Sequence, residues 1–92
     1  MAIINDAVKR IARMEEILNA LCAALAAEKP LDDALGAMLS ELQAYYTGGQ
    51  WLRDYEMDER GELPQDLKRG VLSQDGVYLF LCEARQKGWL TP

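Results

Sequence analysis

The chain is predicted to fold as an all-α domain, a small helical bundle of two long antiparallel helices, an irregular middle segment and a C-terminal helix. Three stretches carry this reading. Apolar residues recur at alternating four- and three-residue spacing over residues 3–28, resume that spacing directly after Lys29-Pro30, and take it up again from Val77. Ninety-two residues suit one domain, 1–92. A chain this short buries about 60–65% of the surface it exposes when unfolded, so its core is modest. With 50% hydrophobic and 27% charged residues, the composition is that of a globular chain and argues against disorder.

The first stretch sets Ile4, Ala7 or Val8, Ile11, Met14, Leu18, Leu21 and Leu25 on one stripe, with Lys9, Arg10, Arg13, Glu15 and Glu16 off it. That is the inner face of an amphipathic helix. Asn5 and Asp6 suit its cap or the positive end of its dipole. Lys29-Pro30 ends it, because a residue before proline is pushed out of the α region. The pattern returns with Leu31, Leu35, Met38, Leu42 and Tyr45, and Asp32-Asp33 fall in the first turn, where carboxylates are favoured. So short a connection predicts antiparallel neighbours. Gly48-Gly49 end the second helix, since glycine accepts the left-handed turn of a helix C-terminus.

Gln50 to Leu72 reads less regularly. Trp51, Leu52 and Tyr55 permit a short helix to about Glu59, after which Gly61 and Pro64 impose turns. Gln65 to Arg69 reads as one more helical turn, with Pro64 at its first position and Gly70 stopping it. Ser73 is the expected N-cap, with Asp75 in the first turn, of a last helix running to about Lys87. Val77, Leu81 and Ala84 line its inner face, Tyr78 and Phe80 flank it, and Trp89 and Leu90 fold back onto the bundle. Order is expected from Trp51 to Ser73. Its Trp51, Leu52, Leu63, Leu67, Val71 and Leu72 would each contribute about 1.5–3 kcal/mol if buried.

The segment Tyr45 to Tyr78 is also the most distinctive part of the chain. It runs through Tyr45-Tyr46, Trp51-Leu52-Arg53-Asp54-Tyr55-Glu56, Asp58-Glu59, Gly61, Leu63-Pro64 and Leu67-Lys68-Arg69-Gly70-Val71-Leu72-Ser73 to Asp75. This string resembles a family of small bacterial proteins described as the domain of unknown function numbered 4298. The likeness extends to chain length, to the opening amphipathic helix and to the Tyr-Tyr pair ahead of the tryptophan. It implies a compact, mainly helical bacterial domain and carries over no catalytic residue. Leu79-Phe80-Leu81-Cys82 departs from the expected pattern, being more apolar than a solvated last helix needs.

Composition removes several function classes. A net charge of -5, with no basic run longer than two residues, leaves no positive face for nucleic acid. No apolar stretch approaches the ~20 residues that span a bilayer. The opening Met-Ala-Ile-Ile-Asn-Asp has no signal-peptide pattern, so a cytoplasmic location is expected. Cys22 and Cys82 sit within apolar patterns and read as small buried hydrophobes of a reducing compartment, not as a disulfide. With no histidine, zinc sites of the usual type and His-dependent triads are excluded within one chain.

Three constellations remain. The acids Asp54, Glu56, Asp58, Glu59 and Glu62 are mis-spaced for a calcium loop: Glu59 takes the position of the obligatory glycine and Gln65 that of the bidentate glutamate. They read as a solvated face, partly neutralised by Arg53, Arg60, Lys68 and Arg69, and no tight divalent-cation binding is expected. Tyr45, Tyr46, Trp51 and Tyr55 read chiefly as a cap on the core, and otherwise as a partner-binding surface. Of Lys68 and Arg69, the latter is expected to pair with a carboxylate between Asp54 and Asp66, its planar fork suiting the task.

The function expected is that of a small cytoplasmic bacterial protein acting as a non-catalytic protein-interaction or accessory domain. It needs no cofactor or metal, its partner is a protein, a basic one suiting the acidic run, and self-association through leftover apolar surface stays open. The alternative is a small enzyme or ligand-binding protein using the acidic and aromatic segment 45–75. Candidate partner- or ligand-binding residues are Tyr45, Tyr46, Trp51, Asp54, Tyr55, Asp58, Glu59, Lys68 and Arg69; no catalytic residue is assigned. A closed pocket of roughly 300 Å³ or more lined by Asp54, Asp58, Tyr55 and Arg69 would favour the alternative. The same residues spread over a convex surface would favour the interaction domain.

Overall fold

The computed structural model describes residues 2–73 and 75–90, with side chains from Asp6 onward. Four α-helices follow in order, α1 (Ala2–Ala26), α2 (Asp33–Thr47), α3 (Gln50–Glu59) and α4 (Gly76–Gln86), with a 3-10 turn at Gly70–Leu72 before the last. There is no strand among the described residues. The molecule measures 40 × 21 × 20 Å. At about 1.5 Å per residue, the 25 residues of α1 account for nearly all of the long axis.

No glycine or proline interrupts α1, which is rich in the strong helix formers alanine and leucine. Its stripe is buried as expected: Ala7, Ile11, Met14, Leu18, Leu21 and Leu25 all lie inside, and Ile17 and Ala24 widen the face. The side chains of Ile4 and Asn5 lie outside the described residues. Asn5 and Asp6 do not cap the helix, because it already begins at Ala2. Its C-terminus closes with Lys29 N–H on the Ala24 carbonyl and Glu28 N–H on that of Leu25, both at 3.0 Å. This paired closure puts Glu28 in the left-handed region, with φ 58°.

The N-cap of α2 is Asp32, whose carboxylate accepts from Leu35 N–H at 2.8 Å. Leu39, Leu42 and Tyr45 are buried, Leu35 and Met38 only partly, and Leu31 stays exposed ahead of the helix. Gly48-Gly49 do end α2, but Gly48 is not left-handed (φ -85°); the left-handed residue is Gly49, at the N-cap position of α3.

The short helix that Trp51, Leu52 and Tyr55 permit to about Glu59 is present. Gln50–Glu59 is a regular ten-residue helix. Its inward face is carried by Asp54 and by half-buried Trp51, Tyr55, Met57 and Asp58, so no aliphatic stripe marks it. Gln65 to Arg69 forms no helical turn beyond a bend in which Leu67 N–H reaches the Pro64 carbonyl at 3.3 Å. The helical backbone begins instead at Gly70, as the 3-10 turn. α1, α3 and α4 all pack against that turn, which buries Val71 and Leu72 completely or nearly so. Leu63 is buried with them, whereas Leu52 is 53% exposed on the outer face of α3.

Ser73 Oγ accepts from Gly76 N–H at 3.1 Å, but Asp75 occupies the cap position and lies outside α4. Val77, Phe80 and Ala84 form the buried face of α4. Leu81 is only partly buried, and Tyr78 is exposed. Gly88, at φ 86°, adopts the left-handed turn that lets Trp89 N–H reach back to the Ala84 carbonyl at 2.9 Å. The chain thereby reverses and delivers Trp89 to the core, with Leu90 against it. The cysteines are free thiols, Cys22 exposed and Cys82 half-buried. Cys22 falls one residue beyond the stripe position Leu21, which turns it toward solvent.

Candidate functional site

The acidic run does not form one solvated face. Asp54 has no solvent exposure at all. Its carboxylate accepts from Arg10 Nε at 2.9 Å and Arg10 Nη2 at 2.5 Å, and from the Tyr45 hydroxyl at 2.7 Å. One carboxylate thus binds α1, α2 and α3 together. The bidentate fork is the strongest geometry available to such a pair. Asp54's hydrogen bonds hold the Arg10 guanidinium above its ordinary pKa.

Burial, reinforced by the bond to Asp54, pushes the Tyr45 hydroxyl far above the usual tyrosine range. Since the folded value lies above the unfolded one of about 10, this contribution to stability is complete below that pH and is lost as pH rises past it. In an ultraviolet titration of the folded protein, the Tyr45 component should therefore appear only as the fold opens. Tyr45→Phe should remove that component and flatten the alkaline loss of stability.

A second set of bonds fixes the 3-10 turn. Trp51 Nε1 donates to the Val71 carbonyl, and Val71 N–H donates to Glu15 Oε1, both at 2.8 Å. Gly70 permits that approach: a Cβ there would lie 3.0 Å and 3.2 Å from the two Glu15 carboxylate oxygens. Trp51 is itself held between two tyrosines, edge-on to Tyr46 at 5.2 Å and stacked on Tyr55 at 5.1 Å. Such pairs contribute about 0.5–1.5 kcal/mol beyond their burial.

Arg69 pairs as expected, with Nη1 3.0 Å from Asp58 Oδ1, and Nη2 donates to the Pro64 carbonyl. Both side chains of the pair are partly covered, at 35% and 23% exposure. An exposed pair is worth under about 1 kcal/mol, and breaking a buried one costs about 3–5 kcal/mol. Arg69→Ala should therefore fall between, above 1 kcal/mol, as read from denaturant midpoints. A near-neutral result would show that the loop keeps its shape without this clamp.

The candidate residues thus separate into distinct structural roles. Tyr45 and Asp54 are interior; Tyr46, Trp51, Tyr55, Asp58 and Arg69 are half-buried struts; Glu59 and Lys68 are exposed. The partners missed from the sequence are Arg10 and Glu15. Both flank the α1 stripe, where a long polar side chain can reach across to a neighbouring element, and that placement is the signal available for them.

Two cavities lie along α1. One of about 410 Å³ opens between α1 and the Pro64–Lys68 loop; another of about 270 Å³ lies between Arg13, Ile17, Ala20 and Met38. Neither is lined by Asp54, Asp58, Tyr55 or Arg69. Among the described residues, no three acidic or cysteine side chains are grouped to hold a metal ion, and no helix is long and apolar enough to cross a membrane.

No curated protein and no solved structure matches the chain significantly. The family model for a domain of unknown function (DUF4298) matches residues 11–90, a span holding Asp54, Tyr45, Trp51 and the whole 3-10 turn, and the chain belongs to that family.

Proposed function

We propose that this chain is a small cytoplasmic bacterial protein serving as a non-catalytic protein-interaction or accessory domain, with α1 and α2 antiparallel in its bundle. The observation that carries the reading is the use made of the acidic and aromatic segment. Asp54 is taken up by Arg10 and Tyr45, Trp51 Nε1 by the Val71 carbonyl, and Asp58 by Arg69, whose Nη2 also meets the Pro64 carbonyl while its buried Nε has no partner. The alternative, a small enzyme or ligand-binding protein working through 45–75, is the less supported reading, because Asp54, Tyr45 and Trp51 are engaged in bonds that hold the fold. What the fold leaves outside is apolar side chain on α3 and α4: Leu52 at 53% exposure, Tyr78 at 50% and Leu79 at 63%. Large apolar groups left in water are the raw material of binding surfaces.

The test is affinity capture from the native host with the full chain as bait, alongside sedimentation of the chain alone. The wild type should capture a specific protein or self-associate, and Tyr78→Ala/Leu79→Glu should lose that behaviour while its thermal melt stays unchanged. Wild-type protein that remains monomeric and captures nothing more than the double variant does would overturn the reading.

A further inference from the structure

The larger cavity takes no part in the internal bonds of Asp54 or Trp51. Its apolar surface comes from Val8 and Ala12, one turn apart on α1, and from Leu67 across the gap. Glu15, Glu16 and Asp66 also line it, against a single ammonium, Lys68. We propose that this groove receives a lysine- or arginine-bearing segment of a partner protein, the alkyl stem lying on Val8, Ala12 and Leu67 and the cationic head toward the acidic lining of Glu16 and Asp66. The inference rests on the interaction reading and names the chemistry of the partner.

Four observations converge on that occupant. The volume, about 410 Å³, falls within the roughly 300–1,000 Å³ of ligand-binding clefts. Apolar walls joined to charge match a side chain that is itself an apolar stem with a charged tip. The lining also carries a net negative charge, three carboxylates against Lys68. Among the described residues, Arg10, Arg13, Arg60, Arg69 and Lys87 each meet a carboxylate elsewhere, whereas Glu15, Glu16, Asp66 and Lys68 take part in no ion pair. With the chain at -5 overall, the field at the groove favours a cationic visitor. Finally, the loop wall is held in place before anything binds. Arg69 ties the Pro64 carbonyl to Asp58, and Glu15 holds Val71 N–H. A wall ordered in advance removes part of the cost of binding.

The test is titration of the isotope-labelled full chain with blocked octapeptide pools whose fixed central residue is lysine, arginine, norleucine or glutamate, and separately with 1,4-diaminobutane. Amide shifts at Val8, Ala12 and Leu67 should appear with the lysine and arginine pools and weaken as salt is raised. Glu16→Gln and Asp66→Asn should each weaken binding about two- to fivefold, and Lys68→Gln should strengthen it by a similar factor. Glu15 is left intact because it holds the 3-10 turn. Equal shifts with the norleucine pool, equal saturation by the free diamine, or no shift at the groove with any pool would each overturn the proposal. Shifts confined to Tyr78 and Leu79 would overturn the groove while sparing the interaction reading. Groove shifts without capture through α4 would do the reverse to the α4 surface.

Discussion

An Arg10→Ala protein should lose about 3–5 kcal/mol of stability, because it leaves the fully buried Asp54 carboxylate with only the Tyr45 hydroxyl as partner. Small domains hold about 5–15 kcal/mol in all. Each kcal/mol moves the melting temperature of a domain this size by about 4–8 °C, so the variant should melt at least about 12 °C early or fail to fold. Asp54→Asn should cost less than Arg10→Ala. It keeps an acceptor for Tyr45, and the arginine it strands is 28% exposed and can turn to water.

Two further variants separate burial from pairing. Arg10→Met/Asp54→Asn removes both charges together and should be more stable than Arg10→Ala alone, since no buried charge is left unpaired. Arg13→Ala breaks a pair of similar geometry, Arg13 on Glu41 at 2.6 Å and 3.0 Å, whose side chains are 64% and 37% exposed. That change should cost under about 1 kcal/mol. Equal losses at Arg10 and Arg13 would mean that the Asp54 carboxylate is solvated in the folded protein, contrary to its burial. The measurement in every case is the urea midpoint at constant slope.

Leu72→Ala should cost about 2–5 kcal/mol, the range for truncating a buried leucine whose site cannot collapse. Leu72 is 2% exposed and stands in the 3-10 turn against which α1, α3 and α4 pack. Leu52→Ala, in the same middle segment, should stay within about 0.5 kcal/mol because that side chain is already largely in water. The contrast tests whether the turn is a packing centre or an accessory loop. Amide exchange makes the same distinction: Val71 N–H, bonded to Glu15, should exchange only on global unfolding. A small Leu72→Ala effect joined to rapid exchange at Val71 would show the bundle standing without the segment.

The helices were legible where local pattern and local backbone chemistry agree. In α1 the alternating spacing marks an inner face whatever the partner, and every expected stripe residue from Ile11 to Leu25 is buried. Lys29-Pro30 and Gly48-Gly49 mark ends because proline and glycine act through the backbone of their own few residues. α3 was legible to its end at Glu59, but its inward face is built on a carboxylate and aromatic rings, so no apolar stripe marks Asp54 as interior. The 3-10 turn was misplaced for a related reason. Its Val71 N–H is satisfied by Glu15, and no sequence pattern near Val71 announces that carboxylate.

The all-α class, the breaks that follow α1 and α2, the return of Trp89 to the core and the pairing of Arg69 with a nearby carboxylate were all contained in the sequence. Each depends on periodicity, or on groups a few residues apart along the chain. The burial of Asp54, the recruitment of Arg10 and Glu15, and the groove beside the Pro64–Lys68 loop were decided by tertiary structure. Arg10 lies 44 residues from Asp54, and Glu15 lies 56 from Val71. An aspartate is a surface residue until a guanidinium and a hydroxyl meet it out of water. The interior then accepts the carboxylate because three hydrogen bonds replace its hydration.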